Sequence, residues 1–470
     1  HKITFFIIYF LNVTHTIKMS SNVNIEITPS NVLSNGKVSF QSGNPVVSFI
    51  IGEQERSLIG QSVRLCGKFR AYLKTGATDA VDREVSNADT LATNGRCGVY
   101  GCIDQLVIKS QRTHQVIEHI RHYNRFASTF LPTTNSLQDN LSHMGESSLI
   151  MPNTFLNQQS VLRLPSQNQT GNSFCLPLPC GLLNGGNQIP LSGTWGLQGL
   201  LIEIHLAPDS NVLFSSTGVG ADVTAINDAF YEFSDLKLVA EAVNPTPQMV
   251  KQMPSTFEYN SIHSYFTSIN STQSVVNFNL GLSRVLGVFM NFIEANKINN
   301  REYDGLATQA LLNENSGGTI TRCPIEQLVF TRAGIRFPLE YNIDYLGTQG
   351  GTFNQVDTQI YRNFLNAIKP FSKNQRNVAN CVNTYESSND PDTTVALLGG
   401  RDVNVVDGGS IFGVGISYDT ISDQGVDFSN VQWGMNMTSD LQTNNPHAVY
   451  LFVHAKSTLV FNQSGLQVMS

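Results

Sequence analysis

Apolar and polar residues alternate along much of this chain. In SVRLCGKFRAYL, residues 62–73, Val63, Leu65, Phe69, Ala71 and Leu73 fall on one face, and Ser62, Arg64, Lys68 and Arg70 on the other. A period of two predicts a half-buried β-strand. GLLIEIHL, residues 199–206, sets Ile202, Ile204 and Leu206 against Glu203 and His205. LKLVAEA (236–242) alternates too, as does VYLFVHAKSTLVF (449–461), with His454, Lys456 and Thr458 on its wetter face. Loops rich in Gly, Asn and Pro separate these runs. Many short antiparallel strands of this kind predict an all-β sandwich or jelly roll.

The pattern is written twice. VVSFIIG (46–52) and SVRLCGKF (62–69) return, run together, as VVNFNLGLSRVLGVF (275–289). Arg64, Gly67 and Phe69 thus echo as Arg284, Gly287 and Phe289. IDQLVI (103–108) returns as IEQLVF (325–330) at nearly the same offset, YNRF (123–126) is loosely matched by YRNF (361–364), and Trp195 and Trp433 are each followed by Gly. Two copies in the same order predict two related domains, not a solenoid. NPTPQMVKQMPST (244–256), with three prolines, reads as a stiff linker. The expected division is an N-terminal segment 1–35, a first domain 36–244, a Pro-rich linker 245–255, a second domain 256–465 and a tail 466–470. ITFFIIYFL (3–11) is too short to span a bilayer. Residues 1–18 read as upstream translation, with Met19 as the start. No other run suits a membrane span.

A short helix is expected in each copy. In THQVIEHIRHYNRFA (113–127), Val116, Ile120, Tyr123 and Ala127 make a helical stripe; in DTQIYRNFLNAI (357–368), Ile360, Phe364 and Ile368 do. Asp357 is a candidate N-cap and Pro370 a stop. On the first of these helices His114, Glu118 and His122 would share a face. Eight residues of helix rise about 12 Å, too far for three ligands to meet one ion, and the HExxH spacing is absent. The expectation is a solvated face on which Glu118 pairs with Arg121 or Arg125.

One difference between the copies carries information. Arg64, Cys66, Lys68 and Arg70 become Arg284, Leu286, Val288 and Met290. A wet face has turned apolar, so a cover is expected, most simply from within the chain.

Composition narrows the function classes. Charged residues are 14% against 41% hydrophobic, a mix short of the Glu, Lys and Ala that long surface helices need. A formal net charge of −7, with no basic tail, argues against strong direct nucleic-acid binding. Seven cysteines make no disulfide framework. The spacings Cys97/Cys102 and Cys175/Cys180 are loose for zinc, and the thiols read as buried or in loops. There is no GxSxG elbow and no phosphate-binding loop. Sequons such as Asn168–Thr170 and Asn270–Thr272 matter only in a secreted chain. No catalytic, cofactor-binding or metal-ligating residue is therefore assigned.

FIIGEQERSLIGQSVRL, IDQLVIKSQRTHQVIEHIRHYNRF, SFCLPLPCGLL and GLLIEIHLAPDSNV resemble the first half, and FEYNSIHSYFTSINST, LGLSRVLGVFMNFI, FTRAGIRFPLEYNID and YDTISDQGVDF the second half, of the double jelly-roll major capsid proteins of Polinton-like viruses and virophages. The resemblance runs from about residue 36 to 463. It implies two tandem jelly rolls, a structural and non-enzymatic role, and homotrimeric capsomers of pseudo-hexagonal outline. These would tile the icosahedral shell of a double-stranded DNA virus assembled inside its host cell. The partners implied are further copies of the chain, lateral capsomer contacts, and penton and minor capsid proteins. The long loops 139–186 and 296–321 would form outer towers or contacts between subunits. Two rivals are a secreted carbohydrate-binding or adhesive β-sandwich protein and a cupin-like metalloenzyme. The first wants clustered aromatics at a sugar site, and the second wants inward His and Glu ligands on neighbouring strands.

Overall fold

The computed structural model describes residues 22–32, 36–42, 45–74, 82–84, 91–94, 97–134, 161–163, 172–183, 188–193, 196–215, 228–244, 256–301, 305–306, 325–339, 343–344, 355–368, 413–419, 421–439, 446–462 and 465–470. The linker 245–255, Trp195, Cys323, Cys381 and most of the loop 139–186 lie outside them.

The main elements of the first half are β1 (Asn22–Ile27), β2 (Val46–Ile51), β3 (Arg64–Lys74), β4 (Ile103–Ser110), β5 (Val116–Arg121), α1 (Tyr123–Thr134), β6 (Asn172–Pro177), β7 (Leu200–Leu206) and β8 (Phe230–Val243). Those of the second half are β9 (Thr256–Ile269), β10 (Gln273–Phe278), β11 (Val285–Glu294), β12 (Ile325–Arg332), α2 (Gln355–Ile368), β13 (Gly413–Ser417), β14 (Trp433–Ser439), β15 (His447–Asn462) and β16 (Gly465–Met469). The chain is all-β, as the alternation predicts, and every pairing among these strands is antiparallel.

Each half stacks two main sheets, the first half adding a small three-stranded one from residues 91–94, 161–163 and 214–215, and the echoed segments take matching places in the main sheets. In the first half one sheet runs β2–β7–β4–β5; in the second the corresponding sheet runs β10–β14–β12 and ends on the short strand Ile335–Arg336. VVSFII and QSVVNF are thus the same edge strand, and IDQLVI and IEQLVF the same inner strand. The other sheet runs β6–β3–β8 with β1 on the far side of β8; its counterpart runs β13–β11–β15–β9. β1 therefore holds in the first half the place that β9 holds in the second. Residues 466–470, expected to be a tail, instead belong largely to β16, which pairs with β15.

Aromatic residues fill both sandwiches. Phe69 packs on Tyr231 and Phe233, and Phe174 on Phe233. In the second half Trp433 is flanked by Phe278 and Phe330, and its indole N–H donates to the Tyr418 hydroxyl at 3.0 Å. That bond satisfies a polar atom buried with the ring.

A one-residue irregularity separates the copies. In the first half it falls on β8, where Asp235 adopts φ 54°, and β3 keeps its phase. Gly67 therefore faces Phe174 and Leu236 in the core. In the second half it falls on β11, between Val285 and Gly287. A bulge in a strand turns the following side chains to the other face. Gly287 accordingly lies under Ala367 of α2, and Phe289 meets Phe364 of α2 and Phe126 of α1. Leu286, Val288 and Met290, expected to form the covered outer face, alternate with these residues and point into the sandwich, fully buried. The cover over β11 comes from within the chain, but it lies over Gly287 and Phe289.

Candidate functional site: the joint between the two halves

The second expected helix is present as α2. It begins at Gln355, so Asp357 lies inside it instead of capping it. The first is a strand and then a helix. Residues 116–121 form β5, His122 turns the chain at φ 54°, and α1 begins at Tyr123. His114, Glu118 and His122 share no helical face. Nor is Glu118 solvated: it is 4% exposed, and Arg125 is buried as well. The stripe misleads because Ile120, Tyr123 and Ala127 are all core residues, and burial does not distinguish a strand running into a helix from one helix.

Glu118 lies where the halves meet. Its Oε1 accepts the backbone N–H of Gly181 and of Ile262, and its Oε2 accepts that of Leu182, each at 2.9 Å. Gly181 and Leu182 belong to the loop after β6, and Ile262 to β9 of the second half. One carboxylate thus ties a loop and a strand of the first half to the edge strand of the second. Burial pushes its pKa up to about 7, against the pull of the three N–H donors. Beside it the Tyr259 hydroxyl donates to the Ile117 carbonyl at 2.8 Å, again across the joint. The loop is held from behind: Tyr100 and Tyr123 donate to the carbonyls of Pro177 and Pro179 at 2.7 and 3.0 Å. Gly181 has no substitute there, because a Cβ would sit 1.7 Å from the Asn260 carbonyl oxygen.

Helix α1 extends the joint. Phe126 packs on Phe289 and Phe452, at ring distances of 6.2 and 5.5 Å. The Arg125 guanidinium lies 5.2 Å from the Tyr450 ring centre, and His122 meets the same ring edge-on at 4.9 Å. The Asn291 amide donates to the Thr129 hydroxyl. On another side, Arg301 donates to the Ala229 carbonyl at 2.9 Å, and Leu306 packs over Gly101. The described part of the loop expected to reach outward or between subunits, residues 296–301 and 305–306, is therefore docked on the first half.

Among the described residues, no three His, Cys, Asp or Glu side chains are placed to hold a metal ion. Cys97, Cys102 and Cys180 are buried, and Cys66 lies opposite Cys175 across β3 and β6. Among the same residues no helix is long and apolar enough to cross a membrane.

No protein-family model matches the chain. No curated protein matches it in sequence. Solved structures do match it. A chain of the Sputnik virophage structure aligns over 95% of this chain and 88% of its own, at 12% identity and a TM-score of 0.54. The Faustovirus major capsid protein aligns over 94% and 91%, at 10% identity and a TM-score of 0.54. A chain of the PBCV-1 virus capsid aligns over 96% of each, at 10% identity and a TM-score of 0.51. The fold is the double jelly roll. At such identities the likeness concerns architecture alone. It spans both rolls and the joint between them, so the pairing of two rolls in one chain is part of what is shared.

Sequence reasoning left Glu118 on a solvated face and did not find the joint. A carboxylate two residues from Ile120, and so on the same face of a strand as a core residue, was the available signal.

Proposed function

We propose that this chain is the major capsid protein of an icosahedral double-stranded DNA virus, of the virophage or Polinton-like kind, and that it has a structural and not an enzymatic role. One observation carries the reading: the chain shares its double jelly roll, over nearly its whole length, with chains of three virus structures. The joint supports it physically. Two rolls fixed side by side by a buried carboxylate and an aromatic layer make a rigid two-lobed tile. Three such tiles around a threefold axis give a pseudo-hexagonal capsomer of six rolls. In this reading the first roll comprises residues 22–244, counting β1 with its sheet, and the second 256–465 with β16 added. Further partners are neighbouring capsomers and penton and minor capsid proteins, in a virion assembled inside the host cell. A net charge of −7 leaves packaging of the genome to other components.

Sedimentation of the purified chain in dilute solution tests the proposal, followed by electron microscopy of the particles. The expected result is a stable trimer with a hexagonal outline. A strict monomer at every concentration would overturn it in favour of the secreted adhesive module.

A further inference from the structure

The capsomer reading does not say which surfaces join one copy to the next, and the duplication supplies them. Within the chain the joint forms between β5, at one edge of a first-roll sheet, and β9, at one edge of a second-roll sheet. Each has a counterpart in the other roll. The counterpart of β5 is the segment Ile335–Leu339, which follows β12 as β5 follows β4. The counterpart of β9 is β1, which flanks β8 as β9 flanks β15. Among the described residues neither counterpart pairs with a strand of the other half. Ile335 and Leu339, four residues apart on that segment, are each 71% exposed. Among the described residues β1 pairs with β8 alone, so its outer edge is unpaired among them.

We infer that Ile335–Leu339 of one copy packs against the outer edge of β1 (Asn22–Ile27) in the next copy, repeating between chains the joint that β5 and β9 make within one. The inference rests on the capsomer reading. The contact is head-to-tail: each copy offers one surface of each kind, so a chain of contacts closes on itself when the rotation per roll is that of a six-roll ring. Ile335 and Leu339 would lie against the half-buried Val23 and Ile25. The seam lacks a Glu118: β5 carries its carboxylate into the joint, whereas the counterpart segment reads IRFPL. The joint within the chain therefore has a buried carboxylate clasp that the seam between chains lacks.

The test is sedimentation of the full chain with three sets of changes. Ile335→Asp with Leu339→Asp should give a folded single chain, a threefold drop in mass, with near-ultraviolet circular dichroism unchanged. Val275→Asp, at the opposite edge of the same sheet and 67% exposed, should leave the trimer intact. A milder pair of changes, which adds no charge, supplies a second readout. Asn24→Cys with Leu339→Cys, oxidised with diamide, should give covalently linked dimers and trimers on a non-reducing gel, and neither single change should. A wild-type trimer that survives the aspartates and does not cross-link overturns the seam and leaves the capsomer reading standing. The same holds for a trimer that Val275→Asp alone dissociates. A wild-type monomer overturns both.

Discussion

The carboxylate of Glu118, on a strand of the first jelly roll, accepts the backbone N–H of Ile262, on the edge strand of the second, at 2.9 Å. Two more N–H groups, from Gly181 and Leu182, converge on the same side chain. Edge strands expose unpaired donors that ordinarily invite a further strand. Here a side chain meets the donor at Ile262, so the sheets of the two rolls are joined without merging.

Glu118→Gln should destabilise the chain by about 2–4 kcal/mol, because the amide keeps one acceptor and turns an NH₂ group toward N–H donors in a buried site. Urea unfolding of the variant beside the wild type measures this. A loss under 0.5 kcal/mol would mean that the carboxylate is incidental to the joint.

Stability should also depend on pH in a way that this residue modifies. The Glu118 pKa is raised from 4.5 to about 7 by burial. Its contribution is fully present below pH 4.5 and is lost as pH rises through 7. Burial lowers His263 from 6.5 to about 4 and His454 to about 3. Their contributions are present above pH 6.5 and are lost as pH falls through those values. Between pH 4.5 and 6.5 the two histidines outweigh the one carboxylate by one proton. From these three groups stability should rise by about 1.4 kcal/mol per pH unit. In Glu118→Gln the opposing contribution is gone, and the slope should steepen toward twice that. Urea midpoints at a series of pH values read both slopes, and equal slopes would remove Glu118 from the account.

Gly181→Ala should prevent the two halves from seating. A methyl group 1.7 Å from the Asn260 carbonyl oxygen can be relieved only by moving backbone. The expected outcome is loss of soluble folded protein, or separate melting of the two rolls in calorimetry. A single transition at the wild-type temperature would contradict the packing described.

Phe126→Ala removes the ring that α1 places against Phe289 and Phe452. A buried aromatic of this kind is worth about 3–5 kcal/mol. The loss should appear in the same urea measurement.

Cys66 and Cys175 face each other across neighbouring strands with their sulfurs 2.9 Å apart. Burial and the neighbouring thiol push the Cys66 pKa up to about 12, so that thiol is not poised to react spontaneously. Diamide, taking up two electrons and two protons, should nevertheless join them. The thiol count should fall by two, and stability should rise by up to about 4–5 kcal/mol because the bridge closes a long loop. Cys66→Ser should abolish both effects.

Much of the architecture was legible in the residues. Alternation is a local property, so strands such as β3, β7 and β15 could be read from their own sequences, and the duplication could be read because both rolls keep the same order of echoes. That order is enough to place β2 with β10 and β4 with β12 before any sheet is seen. Other features depended on contacts distant in the chain. Whether Phe289 faces core or helix turns on a bulge one residue long, and nothing in VLGVF announces it. Glu118 is buried because three N–H groups from two remote segments meet it there, and a strand pattern cannot supply their positions. The sequence by itself determined two all-β rolls in tandem, since period and repetition lie along the chain; only the tertiary structure decided how the rolls are joined, since the joint is made of donors and acceptors that folding brings together.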